Sequence, residues 1–385
     1  MNQIGVGSLQ ISETGKKYLL DVIETERLSY GKYHRDFEKE FGELHDVQYA
    51  MFCNSGTSAL QAGLHALKIK YGYTDGDEVL VPALTFVASV NVILQNNLKP
   101  VFVDVDPDRY TVDPKLIEEK ITNRTRAIMP VHIGGLPCEM DEIMKIAKKH
   151  NLQVIEDSCE TMFADIYGKS VGSYGDISCF STYVAHILTT GVGGFACTND
   201  PELAVIIKSL FNHGRDSIYL SIDDDKGKRG QDLAEVVSKR FRFDHVGYSY
   251  RATEFEAALG LGQIKDYKEN IQRRKEIAKK LTIGLLPHVT KLQYPLYEHN
   301  VFMFYPLVCH EDERDKLVNF LESKSIETRQ LLPLTNQPVY KDIVNEEDYP
   351  VAKHLNERAF YIGCHPGMTD EDVDYIIKAF DEYYG

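Results

Sequence analysis

From Tyr49 onward, apolar residues recur in two alternating rhythms. Short apolar runs occupy residues 49–53, 78–81, 100–105 and 127–131, and a further pair, Val154-Ile155, leads directly into acidic residues. Runs of that length bounded by turn residues predict strands. Between them, residues 58–69, 86–95 and 140–150 carry apolar side chains at helical spacing. Strands alternating with helices of this length predict an α/β fold whose main sheet is mostly parallel and flanked by helices. Such sheets bind ligands at the carboxyl ends of their strands. Asn54, Asp157 and Ser181 each close or follow a predicted strand, so they are expected to meet in space.

The second half adds a strand at 195–198 and a helix at 201–211. Residues 216–240 are polar, contain Asp223-Asp224-Asp225-Lys226-Gly227-Lys228, and read as an exposed excursion from the core. A long helical pattern covers 253–285. Beyond it, a strand at 301–308 and helices at 311–324 and 370–383 read as a smaller C-terminal α/β unit. A chain of 385 residues exceeds the usual size of a single core. The expected division is a large unit, residues 1–265 including the N-terminal segment, and a smaller one, residues 266–385.

Charge narrows the partners. The 58 acidic and 43 basic residues give a formal net charge of −15, with no long basic run, which argues against nucleic acid and against a membrane surface. No apolar run reaches the ~18 residues a bilayer span needs, and Met1–Gly5 does not begin a secretory signal. The seven cysteines are scattered, odd in number and without a Cys-x-x-Cys pair. Neither a disulfide framework nor a metal site is expected, and a reducing cytoplasm fits.

Several segments carry candidate chemistry, each with a plainer alternative. Ser55-Gly56-Thr57 joins a strand to a helix, either as a capped helix start or as a phosphate cradle of free amides. Asp157 ends a buried strand, either as a helix cap or as the partner of a pyridine nitrogen. Phe86 is either a core residue or a ring that stacks on a flat cofactor. His186, followed by Gly191-Val192-Gly193-Gly194, is either a structural histidine or an acid–base group.

Taken together, Ser-Gly-Thr-Ser-Ala-Leu at 55–60, Ala-Leu-Thr-Phe-Val-Ala-Ser at 83–89, Glu-Asp-Ser-Cys-Glu at 156–160 and Phe180-Ser181 before Gly191–Gly194 occur in a telling order. With Gly247-Tyr248-Ser249-Tyr250-Arg251 and His365-Pro366-Gly367, they resemble the DegT/DnrJ/EryC1/StrS sugar aminotransferases from about residue 29 to the C-terminus. That resemblance implies the fold-type I architecture of pyridoxal-phosphate (PLP) aminotransferases and a homodimer with shared active sites. It places Gly56, Thr57 and Ser181 on the cofactor phosphate, Phe86 on its ring, Asp157 at its nitrogen and Glu160 near its 3-hydroxyl. It places Ser249, where the family has asparagine, on the partner's phosphate. Phe163 stands where a glycine is common, and Val192 where a glutamate is.

The main departure is His186, which occupies the position of the cofactor-binding lysine. Imidazole cannot replace that covalent tether, but it moves protons near neutral pH. A histidine-bearing branch of the family, of the GDP-4-keto-6-deoxymannose 3-dehydratase type, resembles this chain at 156–162 and in the insertion after His213-Gly214. The resemblance implies PLP and its pyridoxamine form (PMP), bound non-covalently, a nucleotide-linked 4-keto-6-deoxy sugar as substrate, and an amino donor such as glutamate. The expected reaction is C3 dehydration with His186 as acid and base. The alternatives are a 4-aminotransferase, a variant whose lysine was replaced, and a non-catalytic binding protein.

Overall fold

A computed structural model of the chain describes residues 3–8, 10–217 and 224–385. Its main sheet has seven strands, in the order Tyr49–Cys53, Gly194–Thr198, Ile177–Ser181, Gln153–Asp157, Thr125–Ile128, Glu78–Pro82 and Lys99–Val103. Gly194–Thr198 is antiparallel to both of its neighbours, and the other adjacent pairs are parallel. Tyr49–Cys53 therefore points the same way as the parallel strands. Cys53, Pro82, Asp157 and Ser181 all end at one edge, where the predicted site residues follow.

Helix Gly56–Tyr71 packs on this sheet. It starts where the Ser55 hydroxyl accepts from the Ser58 amide and ends at Gly72, whose left-handed backbone (φ 66°) admits glycine without strain. Helix Lys32–Leu44 brings Phe37 and Phe41 onto the sheet, and Phe41 stacks on Phe195 at 3.8 Å. The amino end of that helix is held by the buried Glu254 carboxylate, which accepts from the amides of Gly31, Tyr33 and His34 at 2.7–3.1 Å. A carboxylate at a helix amino end satisfies free N–H groups and opposes the helix dipole.

A second, antiparallel sheet of four strands runs Leu292–Gln293, Phe304–Cys309, Ala359–Gly363 and Thr328–Gln330. Its own apolar cluster includes Phe302, Tyr305, Phe360 and Phe380, together with Ile4 from the N-terminal segment, which bridges to Ile326. Where the apolar rhythms predict elements, the strands and helices follow them; helices Glu13–Thr25, Lys32–Leu44 and Pro350–Arg358 and strands Thr328–Gln330 and Ala359–Gly363 are additional, and two placements differ. The pattern over 253–285 is two helices, Glu254–Ile264 and Tyr267–Leu285, parted where Asp266 leaves helical geometry (φ −105°, ψ 7°). No glycine or proline marks that break, so periodicity alone runs through it. Phe86 caps helix Val87–Gln95 rather than lying inside it. The excursion at 216–240 is partly outside the described residues; the rest contains helix Gly230–Lys239, in which only Val236 is buried.

Candidate active site

Gly56 is the hub of the predicted phosphate cradle. A Cβ at this position would lie 2.6 Å from Ser181 Cβ and 2.8 Å from Cys159 Sγ. Three sequence-distant loops thus converge on one backbone, and only glycine allows so close an approach. As the first residue of its helix, Gly56 and its successor Thr57 present amides that have no partner within the helix. Ser181, 7% exposed, lies against them at the end of its strand. Asn54 donates its amide to the Tyr250 carbonyl, and its buried side-chain oxygen lacks a protein partner.

Asp157 closes the central parallel strand and is buried. Its Oδ2 accepts from the Ser89 hydroxyl at 2.7 Å, and its Oδ1 accepts from the Cys159 amide at 3.1 Å. The Ser89 hydroxyl lies 2.9 Å from that of Thr85. Burial raises the Asp157 carboxyl above its ordinary value, while the bonds from Ser89 and Cys159 oppose that shift. No helix begins at Asp157, so it is not a helix cap. Phe86, on the turn before Ser89, is 57% exposed rather than part of the core. The contacts Gly56–Cys159–Asp157–Ser89 and Gly56–Ser181 connect four of the sequence motifs at the carboxyl ends of the strands.

His186 sits on the loop after Ser181, half-buried, with its Nδ1 3.2 Å from the Ser181 carbonyl oxygen. A carbonyl can only accept, so Nδ1 carries the proton and the lone pair is on Nε2. Burial pushes the ring to about 4, below the usual histidine range; the Ser181 bond opposes this and the Arg274 charge adds to it. The ring is therefore a neutral base at neutral pH. The exposed Tyr183 ring meets it edge-on at 6.0 Å. Thr182 and Thr190 close the base of the loop through hydroxyls 2.6 Å apart. Val192, flanked by glycines with positive φ, stands in solvent.

Glu160 accepts from the Gly134 amide at 3.0 Å, and burial pushes its carboxyl up to about 8. On the site strand itself, Glu156 is fully committed to structure: it accepts from Gly172, Tyr174 and Gly175 at 2.7–2.9 Å and pairs with His132. Phe163 has φ 58°, the left-handed region that favours glycine, and its ring lies between His45 and Tyr267. Ring packing holds the strained backbone there. Ser249 does not join the strand-end contacts; it bridges to Asn212 and accepts from Arg251 at 3.1 Å. Sequence reasoning left out Ser89, Thr85 and Arg274. No helical spacing announced the Thr85–Ser89 pair, because Thr85 lies before the cap of helix Val87–Gln95. A usable signal was the charge at Arg274, which shares the buried face of Ile277, Ala278 and Leu281. No group of His, Cys, Asp and Glu suited to a metal occurs among the described residues, and no described helix is long and apolar enough to cross a membrane.

The sequence profile of the DegT/DnrJ/EryC1/StrS aminotransferase family matches residues 9–381. The GDP-perosamine synthase of Escherichia coli O157:H7 is 37% identical, over 100% of this chain and 99% of that protein. The dTDP-4-dehydro-2,6-dideoxy-D-glucose 3-dehydratase of Saccharopolyspora spinosa is 34% identical, over 97% of this chain and 85% of that protein. Among solved structures, an E. coli GDP-4-keto-6-deoxy-D-mannose-3-dehydratase with bound hydrated PLP superposes with a TM-score of 0.89 at 26% identity, covering 98% of this chain and 99% of that one. The architecture is thus that of fold-type I PLP-dependent aminotransferases. By profile, sequence and fold, the chain belongs to the DegT/DnrJ/EryC1/StrS aminotransferase family.

Proposed function

We propose that this protein is a PLP/PMP-dependent enzyme that removes the C3 hydroxyl from a nucleotide-linked 4-keto-6-deoxy sugar, with His186 as acid and base. The observation that carries the reading is the imidazole at the lysine position, anchored through Nδ1 with its lone pair on Nε2. The donor set suits the cofactor. Asp157 is a buried carboxylate whose partners are a hydroxyl and an amide, so a protonated pyridine nitrogen would supply the missing positive charge. Free amides at Gly56 and Thr57 with the Ser181 hydroxyl suit a phosphate. The exposed Phe86 ring suits a flat aromatic system, and Glu160, held protonated by burial, suits a hydrogen bond to the 3-hydroxyl.

When bound, the cofactor supplies an amine for the sugar's keto carbon and a ring that accepts electrons. The protein's part is proton handling. Nε2 of His186 takes a proton at the reacting centre and delivers one to the departing C3 hydroxyl. Thr182 and Thr190 keep the loop closed beneath it. Without a lysine here, the cofactor is held by non-covalent contacts alone. Lys169 is turned elsewhere, its ammonium 3.9 Å from the Tyr174 ring centre. Glutamate is the proposed amino donor that restores the PMP form.

The same reading includes a homodimer in which the partner subunit's Ser249 approaches the phosphate. Phe241 and Val246, 85% and 87% exposed in the single chain, are the apolar surface such a contact would cover. It also keeps residues 1–265 as the cofactor-holding unit and 266–385 as the smaller unit. A second reading, 4-aminotransfer, is favoured by the identity to a GDP-perosamine synthase. Product analysis separates them. Incubation with PMP and GDP-4-keto-6-deoxymannose gives, on the first reading, a sugar one oxygen lighter that keeps its ketone. On the second it gives an amine in place of the ketone. No change in any nucleotide-linked 4-keto sugar, with or without glutamate, would leave a binding protein.

A further inference from the structure

We infer that Arg274 is the positioning residue for His186, transmitting the rigidity of the C-terminal sheet to the loop that carries the imidazole. The inference rests on the acid–base reading of His186. Arg274 is 3% exposed. Its Nη1 donates to the carbonyls of Cys364, Met303 and Phe302 at 2.6, 2.8 and 3.1 Å. Its Nη2 reaches the His186 carbonyl at 3.5 Å, the longest of the four contacts. Among the described residues no carboxylate pairs with it, so backbone dipoles alone balance the charge. An aliphatic side chain would fill this helix face without the cost of burying a cation. What the guanidinium adds is a planar fork that ties backbones from different parts of the chain to one point.

The loop it reaches is also held by the His186 amide, which donates to the Tyr183 carbonyl at 2.9 Å, and by Gln263, which accepts from the Thr189 amide at 3.0 Å. His186 is tied by Nδ1 to the Ser181 carbonyl on one side and by its own carbonyl to Arg274 on the other. The N-terminal segment lies over the same loop: a Cβ at Gly7 would sit 3.1 Å from Ala185 Cα. The segment is in turn fixed to the C-terminal sheet, where Val6 donates to Glu327 at 2.8 Å and Gly5 pairs with His365 at 3.1 Å. Arg274 is the charged side chain acting on the imidazole, and Tyr183 is its titratable neighbour on the loop. A fixed positive charge there favours the neutral ring that a base requires.

The test uses the full-length protein as wild type, Arg274→Lys and Arg274→Gln. It records the His186 imidazole titration by NMR, assigned by the signal lost in His186→Asn, and amide exchange over residues 182–190. Far-UV circular dichroism and the unfolding midpoint monitor the fold. The expected result is exchange faster by about tenfold in the loop of both variants, the scale of one lost hydrogen bond. The His186 midpoint should rise in Arg274→Gln and stay low in Arg274→Lys, which keeps charge but not the fork. Loop exchange and titration equal to wild type in a folded variant would overturn the inference. Should Arg274→Gln fail to fold, loop exchange in Arg274→Lys alone decides, unchanged protection being the contrary result. Because none of these readouts uses turnover, they separate a wrong role for Arg274 from a wrong reaction. Altered loop exchange with no sugar turned over would sink the proposed function and leave this inference standing.

Discussion

His186 gives its Nδ1 proton to the carbonyl oxygen of Ser181, 3.2 Å away and one loop turn earlier in the chain. The bond selects one tautomer, ties the ring to the end of a sheet strand, and leaves Nε2 as the atom able to exchange protons. The Cβ of Ser181 lies beside Gly56 at the strand end, and its hydroxyl accepts from the Tyr183 amide at 3.4 Å. One residue thus orients the histidine through its backbone and offers its side chain to the proposed phosphate site.

Asp157→Asn should keep the fold and lose about 100-fold or more in turnover, the scale of removing a preorganised electrostatic partner. The amide oxygen can still accept from Cys159, and Ser89, as a hydroxyl, can turn to accept from the new NH₂ group. The fold is therefore preserved while the negative charge is lost. Steady-state rates and a thermal unfolding curve check this. Near-normal turnover would make Asp157 a structural residue.

Gly56→Ala and Gly63→Ala lie on the same helix and should behave oppositely. At Gly56 the new methyl meets Ser181 and Cys159 at 2.6 and 2.8 Å, so overpacking should cost about 1–3 kcal/mol and weaken cofactor binding. At Gly63 the nearest atoms are the Cγ2 methyl of Ile177 at 3.2 Å and the terminal Cδ1 of Ile155 at 3.3 Å, contacts that a shift of a few tenths of an ångström relieves. There the gain in helix propensity, about 1 kcal/mol, offsets the crowding. Chemical denaturation and PLP titration of the two variants give the comparison; equal losses would refute it.

Much of this arrangement was legible in the chain. Alternating apolar rhythms placed the parallel strands and their helices because burial on both faces demands those patterns. The motifs at 55–60, 83–89, 156–160 and 180–194 each end a strand, so their convergence followed from the topology. Other features depend on contacts that no local pattern encodes. The break at Asp266 has no glycine or proline to announce it. Phe163 holds a left-handed backbone with its ring packed between His45 and Tyr267, residues far from it in sequence. The tautomer of His186 is set by loop geometry, and the grip of Arg274 joins residues far apart in sequence.

Acid should weaken the fold partly through His45. This ring is fully buried, stacks on Phe41 at 4.1 Å, and is pushed by burial to about 4. Its folded value lies below the unfolded one, near 6.5. The stability it contributes is therefore complete above that pH and is lost as pH falls towards 4. The slope is up to about 1.4 kcal/mol per pH unit. His45→Gln keeps a donor for the Phe41 carbonyl and cannot charge. Denaturant midpoints between pH 7 and 4.5 should fall less steeply in this variant than in the wild type; parallel curves would show that His45 does not control the loss.

The most direct measurement replaces the residue on which the account turns. His186→Asn and His186→Lys are each given PMP and a GDP-linked 4-keto-6-deoxy sugar, and the products are identified by mass spectrometry beside those of the wild type. The wild type should give a deoxygenated keto sugar, and His186→Asn should lose roughly 10²–10⁴-fold with cofactor binding retained. His186→Lys should show a new absorbance band on adding PLP and a shift towards the amino sugar. A wild type inert towards every such sugar, beside a His186→Lys variant that turns over, would contradict this: the histidine would then be a disabling substitution in an aminotransferase.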